Sequence, residues 1–365
     1  MKKIFIAAAM AIMTLSACEK DNHGTVTTVD TDFVRNYEKF WNLVNENYCF
    51  LGTKYNNDKA VDWQAVYDKW MPVVQNEVKD ENELFNIMAM SLDVLRDGHI
   101  WMISDFKTYA NNEFRLKPDG VTYYNDDYAP GLVTSSYLKS SADKDDYQSD
   151  KAFTTRSGFN YGTIERDGKK FAYIHYDDFS VQLKSIDFKY IDPLFQEADA
   201  VIFDIRNNPG GSGLLGLEMA GRFMTEKTLV GYSTYKNGSG HDDFAEPKEM
   251  YCTPDEKHNW ADKQTAILTN REVYSTANLF TSVMKLAPNA IQVGQTSGGG
   301  GGLPMTHYLP NGWCVVFSSN ILLDVNMNHI EPGIAPDYEA EIGDYQTTGK
   351  DGIVEKAIEE LMKRI

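Results

Sequence analysis

The amino-acid sequence predicts an α/β fold, a mainly parallel sheet covered by helices, behind a helical N-terminal domain. Three observations predict it. From residue 171 onward, short apolar runs alternate with helical periods, the pattern of repeated βα units. Residues 32–96 carry apolar side chains at spacings of three and four, the period of amphipathic helices. The strongly apolar run Ala200–Ile205 passes directly into a glycine turn and another helix, as a buried parallel strand does. Composition agrees, because 42% hydrophobic and 24% charged residues are ordinary globular usage. A chain of 365 residues has room for two domains with cores of their own.

The chain begins with Lys2 and Lys3, then an apolar run from Ile4 that ends in Leu15-Ser16-Ala17-Cys18. A basic start, a short apolar stretch and small residues before a cut form a secretory signal, and the run is too short to span a bilayer. A cysteine directly after Leu-Ser-Ala resembles a bacterial lipobox, which implies removal of residues 1–17 and acylation of Cys18. The other reading is an ordinary signal with an incidental cysteine. Glu19-Lys20-Asp21 resembles the acidic export tag of surface lipoproteins in the Bacteroidetes. Residues 18–31 are polar and read as a tether. No later stretch reaches eighteen uninterrupted apolar residues, so the body is expected to meet the outer membrane of the cell envelope only through lipid.

Phe33, Tyr37, Phe40, Trp41, Val44 and Tyr48 predict a first helix from about Asp32. Trp63, Val66, Tyr67 and Trp70 predict a second over 62–78, and Leu84, Ile87, Met88, Ser91, Leu92 and Leu95 a third over 81–95. Their many aromatics read as core packing within a domain spanning 32–104. Residues 105–165 are poorly patterned and include a charged, loop-like stretch at 140–150. The core, 166–365, then predicts strands at 171–175, 200–205, 265–268 and 290–294. A strand pair opens at 312–316. Helices are expected at 185–198, 214–223, 274–286 and 351–363.

Acidic residues outnumber basic ones by 53 to 35, a formal charge of −18. That balance, with no basic run, excludes a nucleic-acid partner and docking through a polybasic patch. Apart from Cys18, three cysteines remain, Cys49, Cys252 and Cys314, so at most one disulfide can form among them. They lack the spacing of a zinc site, and no metal is expected.

Three blocks could carry chemistry. Asp204-Ile-Arg-Asn-Asn-Pro-Gly-Gly211 follows the buried strand and opens a helix, presenting backbone N–H groups suited to an anion or a developing oxyanion. It lacks the ending of a P-loop and the spacing of a dinucleotide turn, and a tight structural turn is the other reading. Ser275, in Tyr274-Ser275-Thr276-Ala277, stands at a helix entrance, where it is either an N-cap or a nucleophile favoured by the helix dipole. His99, in Asp97-Gly98-His99, leaves a helix beside an acid, as a general base or as a packing residue.

Together these blocks resemble peptidase family S41, the C-terminal processing, tricorn-core and retinoid-binding-protein-like serine peptidases. The resemblance covers most of the chain after the signal. Tyr48 and Val61-Asp62-Trp63 resemble the family's early helices, and Asp97-Gly98-His99 its DGH motif. Tyr173-Ile174-His175-Tyr176 with Phe179 is similar to the strand before the core. Asp204 to Gly211 resembles the DxRxNxGG loop, the family's most specific mark. Val293-Gly294-Gln295-Thr296 with glycines 298–302, and Ile330-Glu331-Pro332-Gly333-Ile334-Ala335-Pro336-Asp337, resemble its late motifs.

The resemblance implies a ClpP/crotonase-like spiral of βα units and a serine endopeptidase acting on peptides or unfolded proteins without a cofactor. It implies Ser275 as nucleophile, His99 as base, Glu331 as the acid behind it, and N–H groups of Gly210, Gly211 and Thr276 as oxyanion donors. Two departures stand out. The processing branch uses a lysine base where Gly300 lies, so here the tricorn-like Ser–His–Glu set is implied. Asn278 stands where many relatives carry Glu. No PDZ pattern separates His99 from the core. The alternative is a catalytically weak relative that binds peptides or apolar ligands in the same cleft; an acyl-CoA enzyme on the related crotonase fold would leave DGH and the Ser275 segment without a role.

Overall fold

The computed structural model describes residues 30–52, 55–56, 59–111, 128–138, 157 and 159–365. The signal segment, Cys18, nearly all of the tether and the stretch at 140–150 lie outside the described residues.

Three helices come first: α1 (Phe33–Asn47), α2 (Trp63–Asn76) and α3 (Glu81–Asp93), with a minimal hairpin of β1 (Tyr55–Asn56) and β2 (Lys59–Ala60) between α1 and α2. Each helix starts at an aspartate whose side chain accepts a first-turn N–H: Asp32 from Arg35, Asp62 from Ala65 and Asp80 from Glu83. These caps satisfy donors that no intrahelical carbonyl can reach. A hairpin follows, β3 (Trp101–Ile103) and β4 (Thr108–Ala110), then α4 (Pro130–Leu132) running into a single π-turn at Val133–Tyr137.

The α/β part contains β5 (Asn160–Arg166), β6 (Lys169–His175), α5 (Ser185–Glu197), β7 (Ala200–Asp204) and α6 (Gly213–Gly221). It continues through β8 (Thr228–Tyr235), β9 (Lys248–Cys252), β10 (Thr265–Thr269), α7 (Thr276–Met284) and β11 (Ala290–Gly294). It ends with β12 (Gly302–Tyr308), β13 (Cys314–Leu323), β14 (Tyr338–Glu339), α8 (Tyr345–Thr348) and α9 (Gly352–Met362). One six-stranded sheet has the order β14-β11-β10-β7-β6-β5. All its pairs are parallel except the β5–β6 hairpin. Every residue of β7 and β10 is buried, which is why both read as continuous apolar runs.

The second sheet, β4-β3-β13-β8-β9 with β12 added to β13, is antiparallel. It joins distant parts of the chain. Met102 of β3 faces Val315 of β13, and Tyr37, Phe40 and Phe85 share a core with Trp313, Val315 and Phe317. The helices therefore have no separate core, and the hairpin at 101–110 crosses the boundary expected at residue 104. Likewise β5 starts at Asn160, inside the segment expected to be irregular. β9 and β12 are largely exposed, so they lack the apolar alternation that marks a strand in sequence.

Beyond the end of β7, Arg206 is completely buried between two carboxylates. Its Nε lies 2.9 Å from Asp204 Oδ1 and its NH1 2.8 Å from Asp351 Oδ2. Asp351 also caps α9, accepting from Ile353 and Val354, and Tyr173 donates to Asp204 Oδ2 at 2.8 Å. Burial pushes the Asp204 carboxyl up, but the adjacent guanidinium outweighs it and holds the pKa below the usual value. Its contribution to stability is thus complete above the ordinary carboxylate range and is lost only as pH falls through the lower folded value. Arg206→Met should cost about 3–5 kcal/mol in urea unfolding at neutral pH, because it strands two buried acids.

Candidate active site

The loop after β7 is held open by its own asparagines. Asn207 sits at φ 63°; its N–H donates to Asn270 Oδ1 at 3.0 Å, and Asn270 Nδ2 donates back to Asn207 Oδ1 at 2.6 Å. Asn208 Nδ2 donates to the Tyr176 carbonyl at 2.8 Å, and Asn208 Oδ1 accepts from Gly210 N–H at 2.9 Å. The loop then meets the nucleophile segment so closely that a Cβ on Gly210 would lie 2.7 Å from Ser275 Cβ and 2.8 Å from Thr276 N. Only glycine fits there.

Ser275 itself occupies φ 56°, ψ −121°, a conformation that costs a non-glycine residue about 1–3 kcal/mol. It is kept there by bonds on either side: Ser275 N–H to the Gly299 carbonyl at 2.9 Å, and Leu279 N–H to the Ser275 carbonyl at 3.0 Å. Although it precedes α7, its side chain makes no capping bond. Instead Ser275 Oγ lies 2.9 Å from His99 Nε2. The N-cap reading of this serine therefore does not describe its hydroxyl.

His99 comes from the turn that ends α3. That turn bends at Arg96, φ 47°, and closes through Ile100 N–H to the Asp97 carbonyl at 3.0 Å. Asp97 is fully buried. Its Oδ1 accepts from His99 N–H at 2.8 Å and from the Tyr274 hydroxyl at 3.0 Å, and its Oδ2 from the Tyr48 hydroxyl at 2.8 Å. Gly98 N–H donates to the Tyr274 hydroxyl at 2.9 Å, so the residue before Ser275 also clamps the His99 turn. On its other side the imidazole presents Nδ1 to Ser318 Oγ at 3.4 Å and to Asp97 Oδ1 at 4.0 Å. Burial, with the negative Asp97 and Glu331 nearby, pushes the Tyr48 and Tyr274 hydroxyls well above their usual pKa. Both stay protonated and donate.

Glycines 298–302 thread between Ser275 and the loop that carries Glu331. A Cβ on Gly300 would meet the Tyr274 ring at 2.7 Å and Ser275 N at 2.9 Å, with φ at +79°. A lysine at this place has no room. Glu331 Oε2 accepts from Gly301 N–H at 2.6 Å, fixing the carboxylate to the glycine run. Asn278, fully buried, donates to the Ile330 carbonyl at 2.8 Å and accepts from Ser297 Oγ at 2.6 Å. It thus secures the loop on which Glu331 stands.

Of the residues singled out in sequence, His99 reaches the Ser275 hydroxyl, Gly210 presses on the backbone of Ser275 and Thr276, and Glu331 bonds to Gly301 N–H instead. Gly210 has committed its N–H to Asn208. The N–H groups of Gly211 and Thr276 have no acceptor among the described residues, and Thr276 Oγ1 holds the Gly211 carbonyl at 2.7 Å. Sequence reasoning gave no site role to Ser318, Asn207, Asn270 or the Tyr274 hydroxyl; Ser318 lies in a plain strand with no motif around it. No cluster of three His, Cys, Asp or Glu side chains among the described residues is arranged to hold a metal.

Fold and geometry together define a class: a spiral of βα units with a Ser–His pair at a helix N-terminus, facing a glycine loop. The model of peptidase family S41 matches residues 170–340, and that of the tricorn protease C1 domain matches residues 30–92. A protein of Parabacteroides merdae described as a peptidase is similar, with 34% identity, coverage of 91% of this chain and 97% of that one, and a TM-score of 0.77. The chain belongs to peptidase family S41. It is also 26% identical over 149 residues to the carboxyl-terminal-processing protease of Picosynechococcus, covering 40% of this chain and 33% of that protein. The chain thus spans about a third of the length of the curated relatives it matches. Mature CPAF complexed with lactacystin shares the fold, at 12% identity, with a TM-score of 0.61 and coverage of 90% of this chain and 97% of that one.

Asn278→Ala should lower stability by about 1–3 kcal/mol, since it leaves the Ile330 carbonyl and the Ser297 hydroxyl without a partner in the interior. Paired urea-unfolding curves check this.

Proposed function

We propose that this chain is a serine endopeptidase that cleaves peptides or unfolded proteins. The carrying observation is the 2.9 Å contact between His99 Nε2 and a Ser275 Oγ that makes no capping bond. His99 takes the hydroxyl proton as Ser275 attacks the scissile carbonyl, and returns it to the leaving amine. With Gly210 engaged by Asn208, the Gly211 and Thr276 N–H groups receive the oxyanion. One such donor is worth about 2.7–4 kcal/mol in the transition state. The resemblance names Glu331 as the acid that steadies the imidazolium, and its charge reaches the Tyr48 and Tyr274 hydroxyls. Strain at Ser275 keeps the hydroxyl presented before substrate arrives.

Ser275→Ala is expected to abolish cleavage of unstructured peptides and labelling by a fluorophosphonate. His99→Ala should reduce kcat/KM by about 10⁴-fold or more. Lys285→Ala, which removes only the exposed ion pair with Asp337, should leave the rate unchanged. Full labelling of the Ser275→Ala protein would remove Ser275 as the nucleophile.

The same reading places the enzyme at the cell envelope, held to the outer membrane through acylated Cys18. Support comes from the Leu15-Ser16-Ala17-Cys18 pattern behind a basic, apolar start. No helix among the described residues is long and apolar enough to cross a membrane. In a bacterial host, Cys18→Ser should abolish incorporation of labelled fatty acid and move the protein out of the membrane fraction. Undiminished incorporation would sink the anchor assignment.

A further inference from the structure

Two carboxylates act on the Tyr48 and Tyr274 hydroxyls beside the His99 turn, Asp97 and Glu331, and they are held differently. Glu331 is half-buried and tied by Oε2 to the backbone of the glycine run. Asp97 is fully buried, belongs to the same turn as His99, and brings Oδ1 to 4.0 Å from Nδ1. We propose that Asp97 and Ser318 are the positioning residues of His99: Ser318 Oγ takes the Nδ1 hydrogen, and Asp97 supplies the countercharge for the imidazolium. The proposal rests on the reading of Ser275 as nucleophile and His99 as base.

Burial disfavours the charge on Asp97, and hydrogen-bond donors offset that. Three donors converge on it, from His99 N–H, Tyr274 and Tyr48, and donors on a carboxylate favour its charged form. The two hydroxyls come from the end of α1 and from the nucleophile segment, so the anion is fixed relative to both Ser275 and the ring. A charge in such a dry place acts across 4 Å far more strongly than one facing water. Because Asp97 and His99 are two residues apart in one hydrogen-bonded turn, the carboxylate follows the ring whenever the turn shifts.

Ser318 supplies the directional contact that 4.0 Å is too long to give. It is fully buried on β13, its carbonyl accepts from Cys49 N–H at 3.0 Å, and its hydroxyl stands 3.4 Å from Nδ1. Room for that hydroxyl depends on Gly302, where a Cβ would come within 2.4 Å of Ser318 Oγ. With the hydrogen on Nδ1, Nε2 keeps a lone pair for the Ser275 proton. During attack that proton passes from Oγ to Nε2, the ring becomes imidazolium with Nδ1–H still on Ser318, and Asp97 stays ionised. The Nε2 proton then leaves on the amine.

The titratable groups against the ring are Asp97 from its own turn and Tyr274 from the nucleophile segment; Tyr48 from the end of α1 bonds to Asp97, and the charge of Glu331 from the late loop acts on both tyrosines. Removing an anion weakens the charged imidazole, so the two acids can be separated by their effect on its titration. The full chain, carrying ¹⁵N-labelled histidine and Ser275→Ala, gives the His99 tautomer and pKa by NMR without any turnover. Adding Asp97→Asn should lower that pKa by about 1–3 units, whereas adding Glu331→Gln should move it less. Adding Ser318→Ala should shift the neutral ring away from the Nδ1–H form. In the active chain, Asp97→Asn should carry the acid limb of kcat/KM to lower pH, and Ser318→Ala should reduce kcat with KM held.

An unmoved His99 pKa in the Asp97→Asn protein, or a larger shift from Glu331→Gln, overturns the proposal. An unchanged tautomer and kcat in the Ser318→Ala protein removes the serine. If Asp97→Asn does not fold, the Ser318→Ala and Glu331→Gln proteins decide between the two acids, because a dominant Glu331 shifts the titration by itself. Loss of the underlying reading has a different signature: wild-type chain that shows no Ser275-dependent labelling, whatever the His99 titration does.

Discussion

The site depends on a close approach of backbones that only glycine permits. The loop after β7 and the run at 298–302 press on Ser275 from two directions, and a Cβ at Gly210 or Gly300 would collide with Ser275 itself or with the Tyr274 ring. Under this constraint the serine holds φ 56°, its hydroxyl turns away from the helix it begins, and the N–H groups of Gly211 and Thr276, without an acceptor among the described residues, lie at the same loop crossing. Space filled with backbone leaves no place for a lysine. The side chain that does reach the Ser275 hydroxyl, His99, arrives from outside, on the turn after α3.

The two halves of the chain are coupled through that contact. His99 meets Ser275 because the N-terminal helices are packed on the α/β part, through the shared core of Tyr37, Phe40, Phe85, Trp313 and Phe317. Tyr48 and Tyr274 carry the coupling into the site, meeting on the one buried carboxylate of Asp97. On the opposite side, Arg206 and its two aspartates tie the glycine loop to α9. Buried charge is costly, so it is placed where a loop must not move.

Much of this was legible in the sequence, for identifiable reasons. The buried strands β7 and β10 and the amphipathic helices α1 to α3 declare themselves because each is apolar on all faces or along one stripe. His99, Ser275 and the glycine loop lie in dense local motifs. What stayed hidden is long-range or exposed. The pairing of β3 with β13 joins residues far apart in the chain, so the helical region looked separable when its core is half made by β13. Ser318 has only strand neighbours, and its role follows from facing His99 across the sheet. Asn278 looked like a departure until its bonds to Ile330 and Ser297 showed it steadying the Glu331 loop.

The account stands or falls on Ser275 being a hydroxyl activated by His99 and served by two backbone donors. A crystal structure of the chain after reaction with a fluorophosphonate tests this most directly. The account predicts a single adduct on Ser275 Oγ, with a phosphonyl oxygen within hydrogen-bond distance of Gly211 N–H and Thr276 N–H. An adduct on another residue, or one on Ser275 with that oxygen pointing away from both donors, would contradict it.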